Sequence, residues 1–120
     1  MSFENIFGPD GLSIEKNRII GLLERDGKSD EAMSAVIAWT EQMEVRSLVS
    51  SKETIRFNVD RAALYEALGD IEGMFESLAE AFYQVKSEKD SGNETGDWQG
   101  LFDKIELLIR EMDEKYPGNN

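Results

Sequence analysis

The 120-residue sequence predicts an all-α protein, a bundle of about five helices. Three observations carry this expectation. Apolar residues recur at spacings of three and four along most of the chain, which gathers them on one face of a helix. Residues that favour helix ends, among them Ser13, Gly27, Ser29 and Asp60, stand at the borders of those stretches. Only "TIRFNVD", residues 54–60, alternates apolar with polar side chains, and a lone strand has nothing to pair with; it is read as helix or coil.

In chain order, residues 1–12 read as an irregular arm whose Phe3, Ile6 and Phe7 either dock on the body or anchor a partner. Residues 13–116 read as one helical domain. A helix begins at Ser13, with Glu15 near the positive end of its dipole, and buries Ile19, Ile20, Leu22 and Leu23. Gly27 ends it in the left-handed conformation and Ser29 caps the next helix, so residues 13–48 form a helical hairpin. The second helix carries two adjacent stripes, Ala32, Val36, Trp39, Met43 and Met33, Ile37, Thr40. Leu64, Leu68, Ile71, Phe75, Leu78, Phe82 and Val85 then follow a heptad that keeps its phase through Gly69 and Asp70. A glycine inside a helix costs only about 1 kcal/mol against alanine, so one long helix over about 60–88 is predicted, capped by Asp60, with Gly69 and Gly73 leaving room for another backbone. Residues 86–97 read as a mobile polar linker. A last helix over 98–116 carries Trp98, Leu101, Ile105, Leu108 and Met112 in one row and Phe102, Ile109 and Tyr116 in the next, and Trp39 and Trp98 are read as core. Residues 117–120 read as a frayed tail.

The chain has no cysteine and no histidine. Disulfides, thiolate zinc sites, cysteine nucleophiles and Ser-His-Asp triads are therefore excluded, leaving carboxylates with an oxygen-seeking cation, or a lysine, as the available catalytic chemistry. There are 25 acids against 13 bases, a net charge of -12. That field repels a polyanion, so direct nucleic-acid binding is not expected; it attracts a basic protein surface, or imitates nucleic acid in a basic groove. "MSFENIFGPDGLS" has no basic region ahead of an apolar stretch and is not read as a secretory signal. No segment is apolar enough to span a membrane, and the chain is expected in the cytoplasm.

Two acidic pairs stand at helical spacing. Glu41 and Glu44 lie one turn apart on the second helix, in line with Ile37 and Leu48, and Glu66 and Asp70 lie one turn apart further on. Facing each other across a bundle, such pairs would hold Mg²⁺ through oxygen; facing outward, they are solvated surface. "TEQMEV" followed by "YEALGDIEGM" resembles the two acidic motifs of the MazG-like all-α nucleotide pyrophosphohydrolases. That resemblance, over residues 38–78, implies Mg²⁺ held by Glu41, Glu44 and Asp70 and water attacking a nucleoside triphosphate between its α and β phosphates. Ala67 stands where the family has a further glutamate, and Glu66 would take its part as ligand or water orienter.

"LLERDGKSDEAMSAV" and "LYEALGDIEGMFESL" also resemble the helical hairpins of tetratricopeptide-like repeats, with Ala32 and Met74 at equivalent steps. Their glycines, Gly27 and Gly69, are 42 residues apart, against 34 in that repeat, and Asn58 and Arg61 stand where the repeat is apolar. The resemblance implies a concave surface that binds peptides, closed by a terminal helix such as 98–116.

The leading functional expectation is a non-catalytic acidic interaction protein, an adaptor, chaperone or inhibitor without a cofactor, which binds a basic protein surface. Phe3 and Phe7 of the arm, and Glu76 and Glu80 beside the heptad seam, are its expected contacts, and the seam also suits a coiled-coil homodimer. The alternatives are a Mg²⁺-dependent pyrophosphohydrolase and a nucleic-acid mimic.

Overall fold

In the computed structural model, which describes residues 3, 6–7, 11–92 and 97–118, five α-helices follow one another. They are α1 (Gly11–Asp26), α2 (Asp30–Ser47), α3 (Ser51–Leu68), α4 (Ile71–Asp90) and α5 (Trp98–Lys115). The all-α bundle of about five helices is therefore present, and no strand occurs among the described residues. The first hairpin forms as its end signals require. Gly27 takes φ 64° after α1, and the Ser29 hydroxyl accepts from the Ala32 amide at 3.2 Å to cap α2. That bond satisfies a backbone amide that the helix start leaves open.

The predicted long helix over 60–88 is two helices. Gly69 ends α3 at φ 83°, a left-handed conformation that only glycine enters cheaply. Asp70 then caps α4, its carboxylate accepting from the Gly73 amide at 2.9 Å. A Cβ on Gly73 would lie 2.6 Å from that carboxylate, so Gly73 makes room for the cap and not for a neighbouring backbone. α3 and α4 pack side by side more extensively than any other pair, as a hairpin closed by a turn of this length must. The heptad that supports the coiled-coil expectation is likewise not one surface. Leu64 is buried, and Leu68 packs, among Ile19, Trp39 and Met43, whereas Leu78 and Val85 are buried, and Ile71, Phe75 and Phe82 pack, in a second cluster with α5.

"TIRFNVD" lies inside α3, which starts at the Ser50 cap, whose hydroxyl accepts from the Glu53 amide at 3.2 Å. Every residue from Ile55 to Asp60 is buried, because α1, α2 and α4 all pack on this helix. A helix covered on all sides shows no amphipathic period, which is why its register is hard to read. Asp60 is therefore no cap: it is 2% exposed inside α3. The predicted linker is shorter too, since α4 runs through Asp90; residues 93–96 lie outside those described.

α5 buries the row predicted for it, Trp98, Leu101, Ile105, Leu108 and Met112, and Trp39 is likewise buried. α1, α3 and α5 share one face, since residues of all three line a single cleft. The molecule's 20 Å short dimension suits two layers of helices, each about 10 Å across. Phe3 and Ile6 of the arm are seated on the odd-helix face, 7% and 4% exposed, both in the cluster formed by α3, α4 and α5. Each such side chain contributes about 1.5–3 kcal/mol.

Candidate functional site

The acids proposed as metal ligands do not assemble. Glu41 and Glu44 are exposed on α2, one turn from the exposed Val45 and Leu48. The Asp70 carboxylate is engaged by the α4 amide it caps. Glu66 faces α5, where its Oε2 accepts from Lys115 Nζ and Tyr116 Oη, each at 3.0 Å. Among the described residues, no three acids form a group able to hold a metal ion.

Three of the predicted acids lie together elsewhere, along α4 and its cap, and the chain reversal at Gly69 lays α3 opposite them. Asp70, Glu76 and Glu80 line one cleft of about 250 Å³ between α3 and α4, with Tyr65 and Arg61 on the facing helix. Arg61, the single base in that lining, is already engaged. Its Nε donates to Ser77 Oγ at 3.1 Å, its Nη2 donates to Asn58 Oδ1 at 2.7 Å, and its guanidinium lies 4.8 Å from the centre of the Phe57 ring. The cleft therefore presents three carboxylates and a phenol beside one guanidinium fixed in place by neutral partners. Glu76 and Glu80 stand one turn apart and exposed on α4, a spacing that lets both reach the same ligand.

The Glu66 contact ties the end of α5 to α3. The hydrogen bond to Glu66 raises the pKa of Lys115; burial, then the bond to Glu66, raises that of Tyr116. A raised folded-state pKa stabilises below the unfolded value and loses that contribution as pH climbs through the folded one. Both groups ordinarily titrate near 10. Wild-type thermal stability should therefore fall more steeply above about pH 10 than that of Tyr116→Phe, compared by melting from pH 8 to 11. Parallel curves would detach Tyr116 from the fold's energetics.

A third constellation lies under the odd-helix face. Asp60 Oδ1 accepts from Lys16 Nζ at 3.4 Å, and its Oδ2 lies 3.6 Å from Arg56 Nε. All three residues are buried. Lys16 also lines the cleft of about 290 Å³ between α1, α3 and α5, with Phe3, Glu66, Lys115 and Tyr116. Sequence reasoning misses this group because Lys16 and Asp60 are 44 positions apart and no short-range spacing links them.

No family model matches this chain, and neither a curated protein nor a solved structure matches it.

Proposed function

We propose that this chain is a non-catalytic, acidic helical interaction protein that takes a basic segment of another protein into the cleft between α3 and α4. The convergence of Asp70, Glu76 and Glu80 on that one concavity carries the reading. A lysine or arginine side chain entering the cleft meets carboxylates on one wall and the Tyr65 phenol on the other, and the net charge of -12 draws it in. Arg61 keeps its charge, since the Ser77 and Asn58 groups that hold its guanidinium are neutral, but the three carboxylates of the lining outnumber it. Rim charges of this kind act mainly on the rate of encounter, so the association should be salt-sensitive.

The test uses a labelled lysine- and arginine-rich peptide as probe. Glu76→Lys combined with Glu80→Lys should weaken its binding by about tenfold or more, about 1.4 kcal/mol. Reversing Glu31 and Glu41, exposed acids on α2, should change it by less than about threefold. Equal losses from the two double variants would place the attraction in the overall field and not in the cleft. Binding unchanged between low and physiological salt would overturn the electrostatic mechanism itself.

A further inference from the structure

The arm occupies a trough that carries features its present occupant does not use. Phe3 lies at the C-terminal ends of α3 and α5, in the cleft with Glu66 and Tyr116. Ile6 and Phe7 lie at their N-terminal ends, lining a second cleft of about 160 Å³ with Lys52, Trp98 and Lys104. The three side chains thus run between two parallel helices in the opposite sense, and the Phe7 ring sits 5.4 Å from the Arg56 guanidinium. Beside Ile6 and Phe7, the indole Nε1 of Trp98 is buried with no hydrogen-bond partner. A buried donor left unmet is a defect that an acceptor at that position would remove. The charge of the trough also departs from that of the molecule. At the Trp98 end of this trough, in a chain of net charge -12, Lys52 and Lys104 line the cleft against one carboxylate, Asp97, which caps α5; at the Phe3 end Lys16 and Lys115 are already paired with Asp60 and Glu66.

We propose that the trough between α3 and α5 is a binding groove for a partner peptide that bears an aromatic residue, an aliphatic and an aromatic residue three and four positions later, and a carboxylate. The chain's own Phe3, Ile6 and Phe7 fill it in the resting molecule. The arm shows which side chains the walls accept and at what spacing. Lys52 and Lys104 favour an acidic segment at the Trp98 end that the rest of the surface repels. Trp98 supplies the advantage over the arm, because an incoming carbonyl or carboxylate meets a donor that the resident leaves open. This groove lies on the odd-helix face, apart from the α3–α4 cleft, and takes a ligand of opposite charge; either site stands if the other fails, and separate probes tell them apart.

The experiment uses the full chain and a fluorescein-labelled peptide of residues 1–10. The peptide should bind the Phe3→Ala, Ile6→Ala double variant at least about tenfold more tightly than wild type, because in wild type the tethered arm competes at an effective concentration of the order of millimolar. It should also shift Trp98 emission, a shift lost in Trp98→Phe, and a scrambled peptide should do neither. A double variant with wild-type helicity that binds both peptides alike overturns the proposal. Should the double variant lose its helicity, hydrogen exchange on wild type decides. Arm amides that exchange well before those of the helices uphold a displaceable occupant; arm amides that exchange only with the helices make the arm a fixed part of the core and end the proposal.

Discussion

Asp60→Ala is expected to lower the stability of the protein by about 3–5 kcal/mol, the cost of breaking a buried ion pair from one side. The Asp60 carboxylate, 2% exposed, lies between Lys16 Nζ at 3.4 Å and Arg56 Nε at 3.6 Å. Neither of these two distances is that of a short charge-assisted hydrogen bond, so the attraction across them draws on the low local dielectric. Removing the Asp60 carboxylate takes from the buried Lys16 and Arg56 the counter-charge it supplies to both, and desolvation then costs stability. For a chain of 120 residues the loss corresponds to a melting temperature lower by about 12–20 °C. Replacing all three together, as Lys16→Met, Arg56→Leu and Asp60→Leu, should recover most of it, because buried ionic groups exchanged for apolar ones of similar volume are often neutral. Urea unfolding of the wild type, single and triple variants checks both halves. A single-variant loss below about 1 kcal/mol would mean that Lys16, which lines the adjacent cleft, turns out into water when its partner goes.

The division between what can be read from this sequence and what cannot follows burial. α5 packs chiefly on α4 and keeps an exposed side, so its apolar row is legible, and all five of its members are buried. The first hairpin is legible because Gly27 and Ser29 do at its turn what local chemistry demands. α3 is opaque for the opposite reason: six consecutive residues, Ile55 to Asp60, are buried, and a helix with core all round carries polar residues wherever a buried partner awaits them. The site follows the same rule. Asp70, Glu76 and Glu80 are conspicuous one at a time, but their shared cleft exists only once the chain turns back at Gly69. Arg56 and Asp60 stand one turn apart on α3, but Lys16 joins them only through a contact between α1 and α3 that no local spacing encodes.

The turn itself yields the second large effect, and its sign separates two structures. Were residues 60–88 one helix, Gly69→Ala would stabilise it by about 1 kcal/mol. In the observed hairpin Gly69 has φ 83° and nothing lies within 4 Å of an added Cβ, so the penalty is purely conformational, about 1–2 kcal/mol. Asp70→Ala removes the carboxylate that accepts from the Gly73 amide, a cap of about 0.5–2 kcal/mol. The two residues are neighbours in one turn and their effects need not add, but the double variant should lose about 2–3 kcal/mol, and its melting temperature should fall by about 8–12 °C. It should also bind the basic peptide less well than Asp70→Ala alone, since the turn is what sets Tyr65 opposite Glu76 and Glu80. A double variant as stable as wild type, or more so, would show that the helix runs on through residue 69 and would remove the α3–α4 cleft along with the turn.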